Sequence, residues 1–97
     1  MSTFAIQYVY GDDAASRDRH RPEHRAFLRA LLDQGTVLLS GPYGGDGPAG
    51  ALIIAQGRSA EAVLAMFDDD PFRREGLVAE RSIRPWDIVI GELPTRV

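Results

Sequence analysis

Apolar and polar positions alternate at the start of the chain. Phe4, Ile6, Tyr8 and Tyr10 interleave with Ala5, Gln7 and Val9, the period of two that marks a strand with distinct faces. This predicts a strand over Thr3 to Tyr10, closed by Gly11-Asp12-Asp13. The stretch from Ala14 to His20 is charged and shows no clear period. A helix is predicted from Arg21 to Gln34, with Phe27, Leu28, Leu31 and Leu32 as its apolar stripe. Pro22 suits the first turn of such a helix, where a missing N–H costs nothing, and Gly35 is the expected C-terminal stop. Two strands follow, Thr36 to Ser40 and Ala51 to Gln56. The loop from Gly41 to Gly50, rich in glycine, reads as a long turn that pairs them antiparallel. Ser59 is a good N-cap for a second helix reaching Asp69, with Ala62, Val63, Met66 and Phe67 inward. Asp70-Pro71 interrupts it, because the residue before proline disfavours helix. Asp70 can then cap a short turn that starts at Pro71 and ends at Gly76. Leu77 to Ile83 is the fourth strand, and Trp86 to Ile90 extends it or forms a short last strand.

The order is β-α-β-β-α-β, a ferredoxin-like α+β arrangement with two helices on one face of an antiparallel sheet. The strands predict more than that. Leu52 and Ile54 oppose Ile53, and Val37 and Leu39 oppose Leu38, so apolar residues occupy both faces. An uncovered apolar face is avoided by monomers. The pattern therefore predicts a homodimer packed through the open sheet face; a covering loop is the alternative.

Composition narrows the function classes. The 97 residues fit one domain over 1–97, and a 44% apolar share supports a packed core. There is no cysteine, and all 11 basic residues are arginine, so thiol, disulfide and lysine chemistry are excluded. The net charge of −3 argues against nucleic-acid binding, which needs clustered positive charge. No signal segment or membrane span is expected, and a cytoplasmic location is the simplest reading.

His24 is the most informative polar residue, because it lies on or beside the buried helical stripe. Burial lowers a histidine pKa and a nearby carboxylate raises it, so such a site can be tuned near neutrality. The alternative is a core histidine with a satisfied hydrogen bond. His20 and His24 have a metal-ligand spacing, but no further ligand completes a set, and His20 is expected before the helix and facing solvent. Asp68-Asp69-Asp70 places negative charge at a helix end, which is mildly unfavourable unless Asp70 caps the next turn. Asp70 is otherwise a carboxylate partner for His24. Ser40-Gly41-Pro42, at a strand end, offers a hydroxyl and an approachable backbone. Arg21, Arg25 and Arg29 fall on one helical line, a solvated face or a fork for an anionic substrate. The loop lacks the lysine and following helix of a phosphate-binding loop, and no nucleophile elbow is present.

The segments Arg21-Pro22-Glu23-His24-Arg25-Ala26-Phe27-Leu28, Gly35 through Ser40-Gly41-Pro42, Asp70-Pro71-Phe72 through Gly76-Leu77, and Ile83-Arg84-Pro85-Trp86 occur in order. Together they resemble the YCII-related (YciI-like) family, over nearly the whole chain. The resemblance implies a dimeric α+β barrel of ferredoxin-like subunits. It also implies an active site built on His24 and Asp70, with Ser40, Gly41, Pro42, Arg21 and Phe72 lining the substrate pocket. No cofactor or metal is implied. A relative removes chloride from a chlorinated hydroquinone-type intermediate. The implied activity is therefore proton transfer on a small organic molecule, by elimination or isomerisation; the alternative is a non-catalytic binding or dimerisation module. Arg73 and Arg74 depart from the family pattern and are expected to make the pocket rim more positive.

Overall fold

The computed structural model describes residues 1–93, so the last four positions of the expected 1–97 domain lie outside the described residues. Four strands and three helices follow one another as β1 (Ser2–Tyr10), α1 (Ala14–Asp33), β2 (Val37–Pro42), β3 (Gly50–Gly57), α2 (Ala60–Phe67), α3 (Pro71–Arg74) and β4 (Val78–Pro85). The sheet has the order β2-β3-β1-β4, and every pairing is antiparallel. This is the ferredoxin-like βαββαβ order, with the short α3 added before the last strand.

The core lies between one face of the sheet and the helices. Phe4, Ile6 and Tyr8 from β1 meet Ala51, Ile53 and Ala55 from β3, and Val63, Phe67, Leu31 and Phe72 close over them. The pleat sends the intervening residues, Ala5, Gln7, Leu52 and Ile54, to the other face.

The largest correction concerns α1. It starts at Ala14, not Arg21, and runs through Pro22. Asp13 caps it: a side-chain oxygen accepts from the Ser16 N–H at 3.0 Å and another from the Ser16 hydroxyl at 2.7 Å. A local cap therefore starts the helix in the stretch without apolar period. His20 is accordingly helical and not ahead of the helix; it is partly buried beside Glu75 and Glu23, at 3.5 and 3.8 Å. Gly35 ends the element with φ +83°, and Gly76 closes the α3 turn with φ +72°, a left-handed conformation that suits glycine.

Three smaller corrections follow. α2 stops at Phe67, before Asp69, because the chain turns there to present Asp70 as the cap of α3. Ala62 is exposed; Val63 and Phe67, four apart, set the buried line. Trp86 to Ile90 forms no strand. The Trp86 N–H still donates to the Thr3 carbonyl at 2.9 Å, but β1 begins at Ser2 and offers no further partner.

One irregularity in β2 matters for function. Val37 pairs with Ala55, yet Leu39 pairs with Ile54, so Leu38 is an extra residue in a bulge. A one-residue shift exchanges the faces of everything after it. Ser40 thus stands opposite Ile53 and Pro42 opposite Ala51, on the helix-covered face. Without the bulge Ser40 would face the other way.

Candidate functional site

Asp70 is the anchor of the site. Its backbone N–H donates to the Phe67 carbonyl at 3.1 Å, and its own carbonyl accepts from Arg74 at 2.9 Å. Its side chain is completely buried. A buried carboxylate is tolerated only when donors surround it, and three do. The Phe72 N–H reaches Oδ1 at 3.0 Å, the cap contact of α3. The Tyr8 hydroxyl donates to Oδ2 at 3.0 Å from the centre of the sheet. His24 Nδ1 lies 2.7 Å from Oδ1.

His24 comes from the middle of α1 and is 8% exposed. Its ring stacks on that of Phe72, with centroids 3.9 Å apart and an interplanar angle of 1°. Tyr10 and Phe72 make a T-shaped contact, with centroids 5.5 Å apart. The ring plane and one nitrogen of His24 are therefore fixed. With a carboxylate at Nδ1, the neutral imidazole keeps its proton there and leaves Nε2 unprotonated.

His24 forms part of the wall of a cavity of about 560 Å³ between α1 and β2. This is the ordinary size of a small-molecule site. Tyr10, Phe72, Leu28, Leu32 and Val37 give it an apolar lining, and Ser40, Gly41 and Pro42 line it from the end of β2. Arg21, Arg25 and Arg29 stand along the α1 side. The seven site residues that the resemblance implies, His24, Asp70, Ser40, Gly41, Pro42, Arg21 and Phe72, are thus gathered at one place; six line the cavity and Asp70 lies behind His24. Arg25 and Arg29 line it as well and remain exposed, so that helical line is a solvated face that also borders the cavity.

One expectation fails here. Arg73 and Arg74 do not form the rim. They stand away from the cavity beside Asp68 and Asp69, at 3.9 and 3.8 Å. Arg81 also holds Asp68, at 2.5 Å, so the aspartates at the end of α2 are offset by local arginines. One functional neighbour was missed. Tyr8 reads from the sequence as a core residue, and its hydroxyl is the clue: a buried tyrosine needs a partner for its O–H. Burial first, and the charge and hydrogen bond of Asp70 next, push the Tyr8 pKa far up, so it stays a donor. Burial also raises Tyr10.

Metal holding finds no support in the geometry of the paired histidines. His24 Nδ1 is engaged by Asp70, and His20 faces Glu23 and Glu75. Among the described residues no group of three or more histidine and acidic side chains converges on a point, and no helix is long and apolar enough to cross a membrane.

Comparison with known proteins agrees with this architecture. The model of the YCII-related domain matches residues 1–87. The chain belongs to the YCII-related family. It is 33% identical over 93 residues to Protein YciI of Escherichia coli O6:H1, covering 84% of this chain and 95% of that one. The same figures hold for Protein YciI of Shigella flexneri. Among solved structures it resembles 5-chloro-2-hydroxyhydroquinone dehydrochlorinase (TftG) from Burkholderia phenoliruptrix in complex with 2,5-dihydroxybenzoquinone. That match has a TM-score of 0.77 at 24% identity, over 88% of this chain and 93% of the other. At that identity it establishes the shared fold.

Proposed function

We propose that the cavity is the active site of a cofactor-independent enzyme that moves a proton on a small organic molecule. His24 Nε2 takes a proton from a substrate carbon. The electron pair released either expels a leaving group, which is elimination, or is reprotonated at another carbon by the same imidazolium, which is isomerisation. Asp70 keeps the Nδ1 tautomer and stabilises the imidazolium that forms. Tyr8 and the Phe72 N–H hold Asp70, and Ser40 supplies a hydroxyl for a substrate oxygen. The observation that carries this reading is the 2.7 Å contact between His24 Nδ1 and a fully buried Asp70, with the ring at a cavity wall. The dehydrochlorinase with this fold, bound to a quinone, gives a precedent for small-molecule elimination. We place the homodimer in the same proposal, formed through the open sheet face.

A specific observation favours a second reading. Asp70 also caps α3 and ties it to α1, so the pair can serve packing alone, in a module that binds without chemistry. Nitrogen NMR of the histidines separates the two when joined to turnover. The expected result is a fixed Nδ1–H tautomer at His24 that is lost in Asp70→Asn while His20 is unaffected. In a halide-release assay on chlorinated hydroquinones and on small chlorinated carboxylic acids, His24→Ala should then lower the rate on a compound that the wild type turns over by about 10²–10⁴-fold. An unchanged tautomer in Asp70→Asn, or equal turnover in His24→Ala, removes the enzyme reading.

A further inference from the structure

Acid–base chemistry leaves the charge of the cavity unexplained. The chain has a net charge of −3, yet the α1 side of the cavity carries Arg21, Arg25 and Arg29, and no carboxylate lines it. Residues four apart on a helix are neighbours, and like charges at that spacing repel. Arg73, Arg74 and Arg81 each face an aspartate, and on the cavity side Arg21 is bonded to Asp18. Arg25 and Arg29 make no ion pair among the described residues. Both are exposed, and two guanidinium groups without a carboxylate, beside a cavity whose α1 wall includes Leu28 and Leu32, match a ligand with one anionic end and an apolar body. The planar fork of arginine suits a carboxylate or a phosphate, and a singly charged carboxylate costs less to desolvate beside the apolar wall. A phosphate favours helix N-termini and backbone N–H groups, and the short α3 offers none here because Asp70 already occupies its start.

We propose that the substrate is a small carboxylic acid in its anionic form. Its carboxylate sits against Arg25 and Arg29, and its carbon skeleton lies along Leu28 and Leu32 toward His24. This rests on the reading of the cavity as the substrate site and names the class of molecule it takes.

The test is NMR titration of the full chain with benzoate and hexanoate, and with the uncharged benzyl alcohol and hexanol. At least one carboxylate should shift Leu28, Leu32 and His24 saturably and bind about tenfold or more tighter than its alcohol. The double variant Arg25→Gln/Arg29→Gln should lose that advantage while keeping its backbone spectrum; Arg29→Gln alone replaces it if the double variant does not fold. The inference is overturned if neither carboxylate binds, if the alcohols bind as well, or if the variant binds like the wild type. Displacement of the carboxylate by inorganic phosphate at lower concentration than by a second carboxylate also overturns it. Carboxylate binding through the two arginines, with an unaltered His24 tautomer in Asp70→Asn, keeps this inference and removes proton transfer. The opposite pair of results does the reverse.

Discussion

Asp70 makes three hydrogen bonds with no exposure to water, so each donor matters more than a surface contact would. Tyr8→Phe removes the donor to Oδ2 and leaves that buried oxygen unpaired. The expected loss is about 1.5–3 kcal/mol, read by urea unfolding. The same residue sets an alkaline limit. Its pKa is raised in the folded protein, whereas the unfolded chain releases the proton near about 10. The folded state therefore holds the proton longer. Its contribution is complete below about 10 and declines as the pH rises further. Melting temperatures across that range should fall less steeply in Tyr8→Phe than in the wild type. At this scale the sequence reveals candidates but not their meeting. Alternation puts Tyr8 inside and the helical stripe puts His24 near the core. The contacts to Asp70 span 62 and 46 residues, and no local pattern encodes them.

Among the elements, α1 shows how local rules compete. Pro22 sits inside the helix and cannot donate to the Asp18 carbonyl one turn earlier. Asp13 and the packed stripe outweigh that loss. Pro22→Ala should consequently stabilise the protein, by up to about 3 kcal/mol, visible as a higher unfolding midpoint. The Asp13 pKa is lowered, first by the backbone bond from Ser16. Its capping contribution is therefore present above its ordinary value and fades as the pH falls below it. β3 offers a steric test. A Cβ on Gly50 would lie 2.2 Å from the Tyr8 carbonyl oxygen, but one on Gly41 meets nothing within 4 Å. Gly50→Ala should cost about 1–3 kcal/mol and displace the strand that carries Tyr8, while Gly41→Ala leaves the unfolding midpoint near the wild-type value. The bulge at Leu38 belongs to this scale too. A run of three apolar residues, Val37-Leu38-Leu39, gives no sign of which one is extra, so the facing of Ser40 was not legible.

The whole molecule carries its helices on one side of the sheet. On the open face, Leu39 and Val9 are exposed, and Leu52 is half-buried, while Gln7, Ser82 and Arg84 make the β4 side polar. Ile54 on the same face is only 4% exposed, so the apolar patch is smaller than the sequence suggests. Trp86, Val89 and Ile90 add exposed apolar surface beyond β4. A second copy would cover such surface. Leu52→Arg places a charge in the proposed interface. Sedimentation should show the dimer dissociation constant raised by about tenfold or more, with the circular dichroism spectrum unchanged. A sedimentation profile identical to that of the wild type would remove the dimer from the proposal.

The sequence by itself determined the strand and helix order, the stops at Gly35 and Gly76, and the caps at Ser59 and Asp70. These depend on periodicity and on the conformational limits of single residues, which act over a few positions. It also identified the family and the residues worth watching. Tertiary structure decided which of them meet. It joined His24 to Asp70 and Tyr8, turned Ser40 inward through the bulge, set Arg25 and Arg29 beside the cavity, and drew Arg73 and Arg74 away to nearby aspartates. Those outcomes depend on register and on charge pairing across distant segments, and both exist only once the sheet and helices have closed on one another.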